Sequence, residues 1–192
     1  MILYSWLLIP FGYLMGSIPS SYIIARFRGV DIRNEGDGRI SAAAVYRRFK
    51  LLPFLITVIM DIGKGLLSVF IARLVTDSMP IWFITALAVV IGHDWSIFLG
   101  FKGGLGATVM AGVLCGLIFW PWFIGGLCAG GIIMLITKKS GISSAVILLV
   151  TSLLLFIWPF NDSILPGFFP LLLGVLMLFK RFQKEHRTIV NS

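Results

Sequence analysis

Charged residues are scarce in this chain of 192 residues: Asp, Glu, Lys and Arg make up 12% of it, whereas hydrophobic residues make up 58%. Together with a mean hydropathy of +1.00, this composition excludes an ordinary soluble domain. We therefore expect an integral membrane protein whose apolar segments leave too few polar residues for a second, soluble domain. Residues 1–192 are predicted to form a single polytopic membrane domain.

Cysteine and histidine are also rare, with two of each. Cys115 and Cys128 both lie inside apolar segments, and no ligand-like spacing relates them to the histidines. The sequence thus predicts no disulfide, no metal site and no cofactor. No positively charged segment precedes the first apolar run, so residues 2–25 are expected to form a retained helix rather than a cleaved signal.

Basic residues outnumber acidic ones, with 16 Lys and Arg against 8 Asp and Glu, which gives a net charge of +8. In a soluble protein this excess would suggest a nucleic-acid partner. Here the bases fall between apolar segments, so they report membrane topology and contact with anionic lipid or substrate, and no nucleic acid is expected.

The apolar segments predict an all-α protein, a compact bundle of about seven transmembrane helices. The 30 apolar residues 107–136 exceed one untilted crossing, and Pro121 between two tryptophans divides them into two short spans. This division places fourteen of the sixteen Lys and Arg in the inner loops, with the N-terminus outside and the C-terminus cytoplasmic. The predicted spans are residues 2–25, 51–74, 80–99, two within 107–136, 143–158 and 168–179, with a short surface helix over 41–49.

Polar residues interrupt the apolar pattern at two informative places. Asp61 and Lys64 stand three residues apart within the second span, a spacing that predicts an internal ion pair on one helix face. The second place is a glycine-rich loop, in which Gly103, Gly104 and Gly106 let the backbone approach a ligand closely. The amides that open the next helix would point at such a ligand.

Two side chains support an anion site at this loop. Lys102 supplies a point charge, and His93 just before the loop is a candidate proton carrier or hydrogen-bond donor. The alternative is a plain interhelical turn, because glycine pairs are common in turns and lysine commonly marks the cytoplasmic face.

Several ordered motifs resemble the bacterial membrane glycerol-3-phosphate acyltransferase family that uses acyl phosphate as donor. They are Gly16-Ser17-Ile18-Pro19, Gly29-Val30-Asp31-Ile32-Arg33, Asp61-Ile62-Gly63-Lys64-Gly65 and Phe101-Lys102-Gly103-Gly104-Leu105-Gly106, with weaker traces at Ser143-Ser144 and His186-Arg187. The resemblance implies a multi-pass protein of a bacterial inner or plasma membrane, in contact with membrane lipids. It also implies transfer of an acyl chain from acyl phosphate to the 1-hydroxyl of glycerol 3-phosphate, giving lysophosphatidic acid in the first step of phospholipid synthesis.

The resemblance also suggests which residues form the site. His93 and Asp37 are the expected catalytic residues, and the expected substrate-binding residues are Arg39, Arg47, Lys102, Gly103, Gly104, Gly106, Thr108, Ser144 and His186. Arg47 and Lys102 would supply fixed charge to two phosphorylated substrates.

The chain departs from the family pattern at several of these positions. Asp37 replaces a serine and Arg39 an asparagine, while Ser41-Ala42-Ala43-Ala44 stands where the family has Gly-Ala-Thr-Asn. Leu105 replaces a second lysine, and Thr108 carries its hydroxyl one place early. Arg39 is a candidate for restoring the charge lost at Leu105 and for neutralising Asp37, whose acceptor-only carboxylate repels phosphate.

Two other function classes stay open at the level of sequence. The first is a catalytically impaired homologue that acts as a lipid-phosphate-binding or accessory membrane protein. The second is a small transporter, for which the broken helix around Pro121 is the supporting feature and Asp61 with Lys64 the ionisable pair inside the membrane.

Overall fold

The computed structural model describes residues 2–34, 40–117, 120–138, 140–160 and 163–190. Within these ranges the protein is helical, and its β-type pairing is limited to one isolated antiparallel bridge between Phe160 and Ser163. The all-α prediction is confirmed. The chain divides into two compact units, Met1–Leu117 and Ile118–Ser192.

The first unit contains seven α-helices in its described part. They are α1 (Ile2–Ser5), α2 (Leu8–Ser17), α3 (Ser20–Phe27), α4 (Ala42–Phe49), α5 (Leu51–Val75), α6 (Met79–Asp94) and α7 (Ala107–Gly116), with short 3₁₀ turns at Ile32–Asn34 and Ile97–Leu99. The described part of the second unit contains α8 (Trp120–Thr137), α9 (Ser140–Ile157) and α10 (Leu165–Val190).

Among the described residues, four helical segments are long and apolar enough to cross a membrane: Leu8–Phe27, Leu51–Val75, Met79–Leu99 and Leu165–Gln183. Three shorter apolar helices add Ala107–Gly116, Pro121–Thr137 and Gly141–Ile157. These segments correspond to the seven spans expected from hydropathy. The orientation of the termini stays a prediction.

The ends of several spans differ from the sequence prediction. The first span is not one continuous helix, because Pro19 lacks an N–H and restrains the residue before it, so α2 ends at Ser17 and α3 begins at Ser20. The third span leaves the α conformation after Asp94. The last helix continues through the basic segment to Val190 instead of ending near residue 179.

The predicted division of residues 107–136 is confirmed, since α7 ends at Gly116 and α8 begins at Trp120. Pro121 lies in the first turn of α8, where its missing N–H removes no helical hydrogen bond. The short helix predicted over residues 41–49 is also present, and the Ser41 side chain caps it by accepting from the Ala44 amide at 3.3 Å.

Glycines allow the helices of the first unit to touch backbone to backbone. A Cβ at Gly16 would lie 2.0 Å from the Val89 carbonyl oxygen, and a Cβ at Gly92 would lie 2.1 Å from that of Tyr13, so only glycine permits the crossing of α2 and α6. A Cβ at Gly112 would lie 2.1 Å from the Ile62 carbonyl oxygen, where α7 crosses α5. These crossings bring the residues next to Gly16 and Gly92 towards the middle of α5.

A small hydrophobic cluster joins the loop region to α3 and α4. Its buried members are Ala25, Ile32, Ile40, Ala44 and Val45, and the partly buried hydrophobics against it include Tyr22 and Leu99. Since Leu99 begins the glycine-rich loop region, this cluster anchors that region against α3 and α4.

The second unit is held by close contacts of its own. A Cβ at Gly126 would lie 2.4 Å from the Thr151 hydroxyl oxygen, so α8 and α9 approach closely. The Ser143 hydroxyl donates to the Gly130 carbonyl at 2.7 Å across the same pair. The Ser152 hydroxyl donates to the Gly167 carbonyl, which ties α9 to α10.

Candidate functional site

An ion pair lies inside the apolar helix α5. Lys64 Nζ lies 3.0 Å from Asp61 Oδ1, and the two side chains are only 5% and 2% exposed. The predicted pair is therefore present. Each charge needs the other, because an unpaired charge in the membrane interior is costly.

The Lys64 ammonium group also contacts two other elements. It donates to the Ile18 carbonyl oxygen at 2.8 Å and lies 2.9 Å from His93 Nδ1. An ammonium has three donors and no acceptor, so Nδ1 of His93 accepts from it and the proton of a neutral ring is placed on Nε2. With Lys64 charged, this contact favours the tautomer of a neutral His93 ring that carries its proton on Nε2.

Thr108, in the first turn of α7, completes this cluster. Its hydroxyl donates to Asp61 Oδ2 at 2.9 Å, while Asp61 Oδ1 lies 3.8 Å from His93 Nδ1. The hydroxyl that stands one place early in the motif thus supports the carboxylate of the ion pair. We refer to Asp61, Lys64, His93 and Thr108 as the buried polar cluster.

The glycine-rich loop folds back onto the end of α6. The Gly103 amide donates to the Asp94 carbonyl at 3.1 Å, and the Gly104 amide donates to the His93 carbonyl at 3.2 Å. These two N–H groups are therefore committed to the main chain in this structure. A phosphate-binding site built from the loop amides stays a prediction. Its N–H donors would have to belong to residues after Gly104.

Close approach to His93 is the geometric reason for the glycine pair. A Cβ at Gly103 would lie 2.0 Å from the His93 carbonyl oxygen, and a Cβ at Gly104 would lie 2.5 Å from His93 Nε2. The imidazole thus contacts Lys64 at Nδ1, and its Nε2 edge leaves no room for a side chain at position 104.

Asp94 is a buried acid that the sequence analysis missed. It is fully buried, and its Oδ1 lies 2.9 Å from where a Cβ at Gly106 would stand. Gly106 has a φ of +65° and directly precedes α7, so the Asp94 carboxylate lies near the positive end of that helix. An acid at the end of an otherwise apolar helix was the available sequence signal.

A cleft borders the His93 side of the buried polar cluster. It has an empty volume of about 230 Å³, part of which is open to solvent. His93, which is 12% exposed, forms one part of its wall. The other residues that line it come from the α2–α3 junction, the start of the α4 region and the glycine loop: Ser17, Ile18, Pro19, Ser20, Ser21, Ile40, Ser96, Leu99, Gly103 and Gly104.

Comparison with known proteins decides the family. A family model described as glycerol-3-phosphate acyltransferase matches residues 6–192. The chain belongs to the glycerol-3-phosphate acyltransferase family. Relatives of that name include proteins from Thermotoga petrophila, 32% identical over 186 residues, and Shouchella clausii, 33% identical over 190 residues. These alignments cover 96% and 95% of this chain and 92% and 91% of the relatives.

Solved structures give the same assignment. The chain is similar to two crystal structures of PlsY (YgiH), an integral membrane glycerol 3-phosphate acyltransferase, in its glycerol 3-phosphate and lysophosphatidic acid forms. The TM-scores are 0.82 and 0.80 at 28% and 26% identity, and each match covers 97% of this chain and 92% of the PlsY chain. Family and fold together support a membrane acyltransferase.

Two of the basic residues expected in the acyltransferase site are exposed. Arg47 lies on α4, whose buried Ala44 and Val45 share the hydrophobic cluster with Leu99. Lys102 lies in the glycine loop. Both stand outside the set of described residues that line the cleft.

The remaining expected residues belong to the second unit or fall outside the described residues. Ser144 is on α9 and His186 falls within α10, both in the second unit, and the His186 side chain lies outside the described part of the structure. Asp37 and Arg39 also lie outside the described residues. The roles expected for these four residues stay predictions.

The loop between α3 and α4 begins with a paired acid and base. Arg33 donates to Asp31 from Nε at 2.9 Å and from Nη2 at 2.7 Å, and its guanidinium lies 5.0 Å from the centre of the Tyr22 ring. The hydrogen bonds from Arg33 lower the pKa of Asp31 from 3.8 to about 2. Asp31 therefore stays ionised, and its carboxylate neutralises much of the Arg33 charge within the loop.

Proposed function

We propose that this chain transfers an acyl group from acyl phosphate to the 1-hydroxyl of glycerol 3-phosphate, giving lysophosphatidic acid, in the inner or plasma membrane of a bacterium. Curated bacterial relatives carry the name glycerol-3-phosphate acyltransferase. The related PlsY structures include a glycerol 3-phosphate form and a lysophosphatidic acid form, which are the acceptor and the product of such a reaction.

The observation that carries the proposal is the fixed His93 ring between Lys64 and the cleft. Lys64 occupies Nδ1 at 2.9 Å, so the Nε2 proton lies on the ring edge next to Gly104, which lines the cleft. A proton held in this way stabilises negative charge without reorganisation during the reaction. His93 thus acts as a donor that orients a phosphate or an acyl oxygen, rather than as the group that removes the hydroxyl proton.

The transfer involves one bond formed and one broken. The glycerol hydroxyl oxygen bonds to the acyl carbon, the bond from that carbon to the phosphate oxygen breaks, and phosphate leaves with the electron pair. The hydroxyl proton passes to a basic oxygen, for which a phosphate oxygen and the Asp37 carboxylate are the chemically competent acceptors. Arg47 and Lys102 supply positive charge for the two phosphorylated substrates.

The substitution at Leu105 gives a sharp test of this function. Loss of one charge-assisted phosphate contact costs about 1.5–3 kcal/mol, or roughly tenfold to a hundredfold in rate. We expect purified protein in lipid to convert acyl phosphate and glycerol 3-phosphate to lysophosphatidic acid weakly. Leu105→Lys should raise this rate, and Arg39→Ala should lower it strongly if Arg39 reaches the same phosphate.

The second candidate function is a lipid-phosphate-binding or accessory protein without catalysis. The replaced motif residues Asp37, Arg39 and Leu105 favour it. If product formation stays undetectable by mass spectrometry in both the natural chain and Leu105→Lys while glycerol 3-phosphate still binds, the catalytic proposal is wrong and this alternative replaces it.

A further inference from the structure

A buried acid that the mechanism above does not use lies at the end of α6. Asp94 is the last residue of that helix and is 0% exposed. A Cβ at Gly106 would lie 2.9 Å from its Oδ1. The same Cβ would lie 3.4 Å from Met110 Cε and 3.5 Å from Val90 Cγ1, so the carboxylate has apolar neighbours. A carboxylate in such surroundings is costly, and its presence requires compensating positive charge.

Two sources of positive potential reach the Asp94 carboxylate. The first is the start of α7, whose N-cap residue Gly106 has no side chain that could cap the helix. The carboxylate lies beside this residue, at the positive end of the helix dipole. The second is Lys64, which interacts with Asp94 electrostatically. Because Asp94 is fully buried, its charge acts on the protein and does not contact a substrate.

The main chain of Asp94 contacts the glycine loop at a second point. Its carbonyl oxygen accepts from the Gly103 amide at 3.1 Å, and a Cβ at Gly103 would lie 2.7 Å from the same oxygen. Asp94 therefore contacts the glycine loop at Gly103 through its carbonyl and at Gly106 through its carboxylate. Lys102 directly precedes the residues that are held in this way.

The residues just after Asp94 are attached to a different helix. The Tyr13 hydroxyl donates to the Trp95 carbonyl at 2.9 Å. The Ser96 hydroxyl donates to the Ser17 carbonyl at 2.5 Å. These bonds attach residues 95 and 96 to α2, whereas residues 103–106 are attached to the end of α6. A change at Asp94 should thus act on the second half of the loop.

We propose that Asp94 is a positioning residue of the acyltransferase. Its carboxylate, held by the positive end of α7, fixes Gly106 and thereby the path of residues 103–106 and of the neighbouring Lys102. The expected effect on substrate binding rests on the proposed function. The expected effect on the rigidity of the loop does not depend on that function.

Asp94→Asn tests the charge, because it keeps the shape of the side chain. We expect hydrogen–deuterium exchange of residues 95–106 to become about tenfold faster, with α9 unchanged. KM for glycerol 3-phosphate should rise about tenfold with kcat within about threefold, because the loop carries binding charge. Asp77→Asn is the control, since Asp77 is an exposed acid just after α5 and should leave both measurements unchanged.

Two glycine variants test the contact from its other side. Gly106→Ala places a Cβ 2.9 Å from Asp94 Oδ1, at a φ of +65°. Gly100→Ala is its matched control, because Gly100 has a φ of +59° and a Cβ there meets nothing within 4 Å. Both variants strain the backbone alike. In the natural chain Gly106→Ala should raise loop exchange and KM about tenfold more than Gly100→Ala, and in an Asp94→Ala background the two should have equal effects.

The outcomes separate the proposal from its alternatives. If the natural chain transfers no acyl group but Asp94→Asn still speeds loop exchange, Asp94 holds the loop while the proposed function fails. A folded Asp94→Asn protein with exchange and KM within about twofold of the natural chain overturns the proposal. A lower kcat at unchanged KM also overturns it, because that result marks a general loss of active protein. If Asp94→Asn does not fold, the glycine pair decides, and equal effects in the natural chain overturn the proposal.

Discussion

Replacing Gly104 with alanine should displace the His93 ring. The new Cβ would lie 2.5 Å from Nε2, and an ordinary contact needs at least 3.4 Å, so the ring has to move by about 0.9 Å. The ring cannot retreat directly, because Lys64 Nζ already lies 2.9 Å from the other ring nitrogen. We expect it to rotate and lose the Lys64 contact.

The size of the effect follows from that contact. A hydrogen bond from a charged group is worth about 1.5–3 kcal/mol, so kcat/KM for acyl transfer should fall roughly tenfold to a hundredfold. The assay is lysophosphatidic acid formation by protein in lipid, with ¹⁵N NMR of the histidine ring as a direct measure of its tautomer. Both readouts should change together.

Gly63→Ala is the matched control. Gly63 lies on α5 next to Lys64, and a Cβ there meets nothing within 4 Å. This variant should keep its activity and should gain slightly in helix stability. If folded Gly104→Ala keeps kcat/KM within about twofold of the natural chain and the Nε2–H tautomer of His93, the argument that Lys64 and Gly104 together position this ring is wrong.

Three further predictions concern stability and topology. Asp31 has a pKa of about 2 in the folded protein against an ordinary value of 3.8. Its contribution to stability is therefore fully present above pH 3.8 and is lost as the pH falls through 2. Arg33→Gln should return the pKa of Asp31, measured by NMR, towards 3.8. Gly92→Ala places a Cβ 2.1 Å from the Tyr13 carbonyl oxygen, so it should lower the thermal unfolding temperature in detergent and reduce the free energy of unfolding by at least about 1–3 kcal/mol. Gly131→Ala is the control, because a Cβ there meets nothing within 4 Å and should leave the unfolding temperature unchanged. In a chain with Cys115 and Cys128 changed to alanine, an impermeant maleimide should label Trp120→Cys only from outside and Lys138→Cys only from inside. The reverse pattern would contradict the predicted orientation.

Features that depend on neighbouring residues could be predicted from the sequence. The apolar runs located the helices because each span must satisfy its backbone hydrogen bonds internally. The break between α7 and α8 was predictable from Pro121 and its flanking tryptophans, and the Asp61–Lys64 pair followed from helical spacing alone. The length of α10 was not predictable in this way, because its basic segment fits both a tail and an amphipathic helix.

The candidate site depends on residues far apart in the chain. His93 meets Lys64 across 29 positions, Ile18 meets Lys64 across 46, and Thr108 meets Asp61 across 47. No local pattern encodes these distances, because they are set by how closely α2, α5, α6 and α7 cross.

The glycine loop shows the difference between the two levels. The sequence alone determined that three of four consecutive positions in this loop lack a side chain, so that its backbone is able to approach a neighbouring group closely. Only the tertiary structure decided what Gly103 and Gly104 approach, namely the backbone and ring of His93. The physical reason is that a missing Cβ permits a close contact without selecting the partner, and helix packing makes that selection.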